Sequence, residues 1–200
     1  MNIVAFHGSP RAGGNTDILL NETLKAVDPS KHKILLFRLN QMDIKPCQNC
    51  GGCDETGICV IQDAMGEIYD AIRKADRIIL ASPIFFFSLS AQTKIMIDRC
   101  QAFWCEKYLL KRSLSSGAHG RKGLLLLVGG MKSEIGAKCG DATAKAFFRS
   151  INIPEHETLS FLGVDAKGAI NEHPLALKQG FEAGLRLILL DSPSKNNTNT

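Results

Sequence analysis

The chain has 200 residues, 44% of them apolar and 22% charged, the composition of an ordinary globular domain and not of a disordered or fibrous chain. Its 24 Lys and Arg against 20 Asp and Glu leave a net charge of +4, too small and too scattered for a nucleic-acid binder. The longest apolar run, residues 124–128, is far too short to span a membrane and suits a buried strand.

A chain of this length buries roughly 70% of the surface that its unfolded form exposes, enough for a core without staples. No basic region or cleavage site precedes the first apolar run, so the expected location is the cytosol. Thiols stay reduced there, and the seven cysteines are not expected to pair as disulfides.

Residues 3–6 read as a first strand, stopped by Gly8 and Pro10. From Asn15 the pattern turns helical, with Leu20, Leu24 and Val27 on one face before Asp28-Pro29 ends it. Residues 34–39 form a second strand, followed by a cysteine-rich loop. A helix opening near Asp63 carries Met65, Ile68, Tyr69 and Ile72 at amphipathic spacing. The third strand covers 77–81 and is closed by Ser82-Pro83. After a phenylalanine-rich loop a helix starts near Ala91, with Met96, Cys100 and Phe103 on one side. A fourth strand spans 123–128, a helix 137–149 and a fifth strand 159–164. The last helix, from about Leu175, presents Leu177, Phe181, Leu185 and Ile188 as its apolar face. Strand–helix alternation predicts an α/β fold with a parallel sheet covered on both faces. Residues 1–190 form one domain including the cysteine loop 47–59, and the polar residues 191–200 form a loose tail.

Ligands of open parallel sheets bind beyond the carboxyl ends of the strands, which directs attention to three turns. After the first strand, Gly8-Ser9-Pro10-Arg11-Ala12-Gly13-Gly14-Asn15-Thr16 runs straight into a helix. Backbone N–H groups and the helix dipole converge there on an anion, and Arg11 adds a fork suited to phosphate. The spacing is neither that of a nucleotide P-loop nor that of the dinucleotide fingerprint. After the third strand, Pro83, Ile84, Phe85, Phe86 and Phe87 offer apolar surface in need of a flat ligand or a partner. After the fourth, Gly129 and Gly130 let a ligand approach the backbone.

The cysteine loop holds Cys47, Cys50, Cys53 and Cys59 at gaps of two, two and five. Three thiols this close suit one inorganic cluster, with Cys59 as the fourth ligand, and Gly51 and Gly52 relieve the crowding of a wrapped loop. Zinc, or thiols holding nothing, remain alternatives. Cys100, Cys105 and Cys139 read as structural, His7 as a packed or solvated histidine, and Phe103, Trp104 and Tyr108 as helix packing or an interface patch.

The opening Gly-Ser-Pro-Arg…Gly-Asn-Thr, the Ser-Pro-Ile-Phe-Phe loop with Ala91-Gln92, and Asp98-Arg99 resemble the flavodoxin-like NAD(P)H-dependent FMN reductases. The cysteine loop narrows the resemblance to the iron–sulfur flavoproteins among them. This implies a five-stranded sheet in the order 2-1-3-4-5 and one FMN. Ser9, Arg11, Gly14, Asn15 and Thr16 would hold its phosphate; Pro83, Ile84, Phe85 and Phe86 would line the isoalloxazine, with Gly129 and Gly130 closing the far side. Family members often carry tyrosine where Phe85 stands, so a hydroxyl contact is lost there while stacking survives.

The implied activity is that of a flavin-dependent oxidoreductase. FMN exchanges electrons in pairs or singly, whereas a [4Fe–4S] cluster passes only one. Together they would link a two-electron substrate, with NAD(P)H as a possible donor, to a ferredoxin-type one-electron carrier. No side-chain acid or nucleophile is required. The competing readings are an FMN or quinone reductase without a functional cluster, and a redox- or metal-sensing binding protein. The resemblance also implies a homodimer or homotetramer, with no nucleic-acid or membrane partner.

Overall fold

A computed structural model describes residues 1–117 and 119–189; the expected tail at 191–200 lies outside them. Strands β1 (Asn2–His7), β2 (Lys33–Arg38), β3 (Arg77–Phe85), β4 (Ser88–Leu89), β5 (Lys122–Gly129) and β6 (His156–Leu162) alternate with helices. These are α1 (Asn15–Lys25), α2 (Met65–Lys74), α3 (Ala91–Arg99), α4 (Gln101–Trp104), α5 (Ile135–Ser150) and α6 (Ala176–Ile188). A π-helical turn, Cys105–Leu109, continues α4.

The parallel ladder runs β2-β1-β3-β5-β6, the expected order once the two-residue β4, an antiparallel addition to β3, is set aside. Side-chain alternation divides the strands between two cores. Val4, Phe6, Ile78, Leu80, Leu125 and Leu127 pack with Met65, Ile68, Met96, Phe103 and Phe147 on one face. Ile3, Ala5, Ile79, Leu124 and Leu126 pack with Leu19, Leu20, Phe161 and Leu187 on the other. The leucine run 124–127 is thus split evenly, which is why it shows no polar alternation.

Two strands and the buried face of one helix depart most from the sequence reading. β3 does not stop at Ala81 but continues to Phe85, pairing Ser82 and Pro83 with Leu127 and Val128. Proline is tolerated because β1, which pairs β3 only as far as Ala81, has already ended on that side. β6 begins at His156 and stops at Leu162, earlier at both ends than 159–164; its polar first half is hidden from an apolar-run search by its place at the sheet edge. On α6 the buried stripe is Ala176, Gly180, Ala183, Gly184 and Leu187, while Leu185 of the expected face is 42% exposed. A Cβ at Gly184 would collide with the Thr23 carbonyl oxygen. Contact with α1 this close selects small residues over the large apolar ones.

No helix among the described residues is long and apolar enough to cross a membrane.

Candidate active site

β1 delivers the chain to a turn fixed by buried polar bonds. Gly8 N–H donates to Ala81 O at 2.8 Å, and Ser90 Oγ donates to Gly8 O at 2.6 Å. Ser90 caps α3 by accepting from Thr93 N–H, and its own N–H donates to Ser82 Oγ at 3.0 Å. The turn after β1, the middle of β3 and the start of α3 are therefore one hydrogen-bonded unit, and it sets the shape of the cleft above it.

The first turn of α1 carries no side-chain cap, so its leading N–H groups lack helical partners and point out of the helix end. Thr16, 2% exposed, and Ser9, whose Oγ accepts from Arg11 N–H at 3.2 Å, stand beside them. Beneath the loop, the buried Asp17 accepts from Gly13 N–H at 2.9 Å and from Arg38 Nη1 at 3.1 Å. Asp17 therefore holds the loop in shape from below.

Asn15 has a different task from the expected one. Its amide donates to Ala166 O at 2.9 Å and accepts from Gly168 N–H at 2.9 Å. The side chain fastens the segment after β6 to the first turn, leaving its backbone N–H as the group free to meet a ligand.

At the other wall, β3 and β4 form a hairpin whose two central residues, Phe86 and Phe87, have φ of 47° and 60°. Positive φ at both positions defines the turn that matches strand twist, one normally made by Asn-Gly. Two phenylalanines held there carry backbone strain on the order of 1–3 kcal/mol each. Phe86 is fully exposed at the tip, and Phe85 and Phe87 are about two-fifths exposed.

These walls enclose a cleft of about 400 Å³, within the range of small-ligand sites. Ser9, Arg11, Gly14, Asn15, Thr16, Pro83, Ile84, Phe85, Phe86, Gly129 and Gly130 all line it. The sequence reading left out Met131, Ser133, Gly136, Leu162 and Asp165, which line it together with Phe87. Gly136 had a signal only in space: a Cβ there would stand 2.6 Å from Ile84 Cγ2. Gly130 is held against Asp165, 2.7 Å from where its Cβ would be, so glycine is required for packing as well as for ligand approach.

Residues adjoining the cleft titrate in a way that can be tested. Burial keeps the His7 imidazole below its ordinary pKa, aided by Arg38, although Asp17 at 3.7 Å pulls the other way. Burial would raise the Asp17 carboxyl, but the Gly13 N–H, Arg38 and His7 outweigh it and hold it below the usual carboxylate value. Both groups bind a proton less readily when folded than when unfolded. Stability is therefore full above the ordinary imidazole value of 6.5 and declines as pH falls, through His7 first and through Asp17 below 3.8. Thermal melting is expected to drop between pH 7 and 5, and His7→Gln to flatten that slope. Some slope remains from His32, whose pKa is also lowered. An unchanged slope in the variant would show that His7 is not buried neutral.

The cysteine loop lies apart, between β2 and α2, and shares no lining residue with the cleft. Cys47, Cys50, Cys53 and Cys59 surround a single small cavity with Arg99 and Gln101. Its volume is about 20 Å³, room for one water. A cluster, in which each thiolate binds its own iron, takes more room than this, so the loop would open to hold one. Asn49, Gly51 and Gly57 have positive φ, giving the tight turns that aim successive sulfurs inward.

Cys105 corrects the sequence reading, which gave it no clustered partner. It is fully buried, with Sγ 3.7 Å from Cys53 Sγ and 3.2 Å from Asp54 Oδ1. Burial, then the neighbouring Asp54 and Cys53, push its thiol up to about 12. Cys53, Asp54 and Cys105 form a group with the reach to ligate a single ion. Cys100 packs in the core as expected and Cys139 is exposed.

Similarity to known proteins bears on both regions. An iron–sulfur flavoprotein of Methanocaldococcus jannaschii is 38% identical over 99 residues, 50% of this chain and 51% of that protein. One of Methanosarcina thermophila is 31% identical over 133 residues, 66% of this chain and 65% of that protein. The chain thus spans about half to two thirds of the length of these relatives. An FMN-dependent NADH-azoreductase from Bacillus anthracis, solved with FMN, superposes with a TM-score of 0.70 at 14% identity, covering 94% of this chain and 99% of that one; it shows a shared fold. Residues 1–139, which contain β1 to β5, the first two cleft walls and the whole cysteine loop, match the NADPH-dependent FMN reductases, and the chain belongs to that family.

Proposed function

We propose that the protein is an iron–sulfur flavoprotein that passes electrons between FMN in the cleft and a [4Fe–4S] cluster in the cysteine loop. The observation that carries the flavin half is the uncapped first turn of α1 meeting an apolar wall across one cleft. Backbone N–H groups of Asn15 and Thr16, the Thr16 and Ser9 hydroxyls and the Arg11 guanidinium grip the phosphate. Pro83, Ile84, Phe85 and Phe86 cover the ring system, and Gly129 and Gly130 admit it close to the backbone. Flavin supplies two-electron chemistry toward a reduced nicotinamide or a quinone, while the protein binds, orients and excludes water.

The cluster half rests on the donor set, four thiols around one space with a buried guanidinium beside them, and on the names of the archaeal relatives. Cys47, Cys50, Cys53 and Cys59 would each hold one iron. The one-electron partner is then a ferredoxin-type carrier. The exposed Phe86, Trp104 and Tyr108 supply surface for assembly into a homodimer or homotetramer.

A second reading, an FMN or quinone reductase without a cluster, is favoured by the small volume of the cavity that the thiols surround. Metal and flavin analysis of protein purified without oxygen separates the two. Brown protein with about four irons per FMN supports the first, and yellow iron-free protein the second. Colourless protein that takes up no FMN overturns both.

A further inference from the structure

Arg99 is 1% exposed, and it is committed to the cysteine loop. Its Nη1 donates to Lys45 O at 2.8 Å and to Asp63 Oδ2 at 2.6 Å. Its Nη2 donates to Ile61 O at 3.1 Å and to Asp63 Oδ1 at 3.2 Å. Lys45 precedes the first cysteine of the loop, and Ile61 and Asp63 follow the last, so one guanidinium ties both strands of the loop's neck. Asp63 completes the closure by accepting from Lys45 N–H at 2.9 Å and Met65 N–H at 3.0 Å.

A clasp alone would leave the guanidinium fully used, yet the buried Arg99 Nε has no hydrogen-bond partner. Arg99 lines the cavity that the four cysteines surround. Asp63, which accepts from both Arg99 Nη groups, does not line that cavity. The buried ion pair therefore presents its cationic end to the cysteine-lined cavity.

We propose that Arg99 is a positioning residue for the cluster: it closes the loop's neck and sets a buried positive charge in the wall of the cysteine-lined cavity, raising the potential at which the cluster accepts an electron. This rests on the cluster reading above. Cluster potentials respond to net charge, to hydrogen bonds on sulfur and to burial, and a fixed cation in a low-dielectric setting favours the reduced form. The step adds one electron from a reduced one-electron carrier to the cluster, with no bond made or broken and no proton taken up.

The test is a dithionite titration of the FMN-loaded, oxygen-free protein, followed by electron paramagnetic resonance, with iron counted in each sample. The variants are Arg99→Lys, which keeps a charge opposite Asp63 but loses the planar fork, and Asp63→Asn with Arg99→Gln, which removes both charges together. The expected result is a cluster midpoint more negative than the parent's in the double variant, with the lysine variant between. A double variant with the parent's iron content and midpoint overturns the proposal. If the double variant does not fold, as judged by circular dichroism and flavin retention, the lysine variant decides, and a midpoint equal to the parent's overturns the proposal. Parent protein without iron would instead refute the cluster reading itself.

Discussion

Replacing Cys50 by alanine is expected to abolish the protein's iron while leaving its flavin bound. Cys50 is exposed on the loop, so the substitution removes a ligand without opening a core cavity, and little stability is at stake. The cleft takes no lining residue from the loop, so FMN has no contact to lose. Iron and flavin measured on the same oxygen-free sample give the answer, and unchanged iron would reject Cys50 as a ligand. Cys105 is the one complication, since its sulfur lies 3.7 Å from that of Cys53 and could stand in for a missing thiol. Repeating the measurement with Cys50 and Cys105 both replaced closes that route.

Arg11→Ala is expected to weaken FMN binding by about 1.5–3 kcal/mol, the worth of a charge-assisted hydrogen bond, or roughly 10- to 150-fold in Kd. Arg11 is exposed where it lines the cleft beside the start of α1 and forms no ion pair among the described residues, so its charge is available to a ligand. An exposed charge is screened by salt, so the loss is expected to lie toward the lower figure at high ionic strength. The loop itself should survive the substitution, because Asp17 and Ser90 hold it through backbone groups of other residues. Flavin fluorescence titrations at low and high salt measure both effects. An affinity equal to the parent's at low salt would remove Arg11 from the phosphate site.

Much of the cleft was legible in the sequence because its parts are local. A glycine-rich turn at a helix start, a glycine pair after a strand and an apolar segment after another each announce themselves within a few residues, and the parallel sheet rule says that they meet. The phenylalanine segment was misread as a loop because a two-residue turn of the mirror-image type is written as Asn-Gly far more often than as Phe-Phe. Local propensity pointed away from the hairpin that tertiary packing imposes, with Gly136 of α5 pressed against Ile84. Asn15 was assigned to the phosphate by its neighbours in sequence, but residues 166 and 168 claim its side chain.

The sequence by itself determined the strand and helix order, the parallel sheet, the placement of the ligand turns and the grouping of four thiols, because each follows from periodicity or from short spacings. Only the tertiary structure decided which face of α6 is buried, that Cys105 stands beside Cys53, and that Arg99 grips the neck of the cysteine loop. Those relations join residues dozens of positions apart, or depend on how closely two helices approach. Their energy comes from contacts that exist only once the chain has folded, so no short stretch of sequence carries a sign of them.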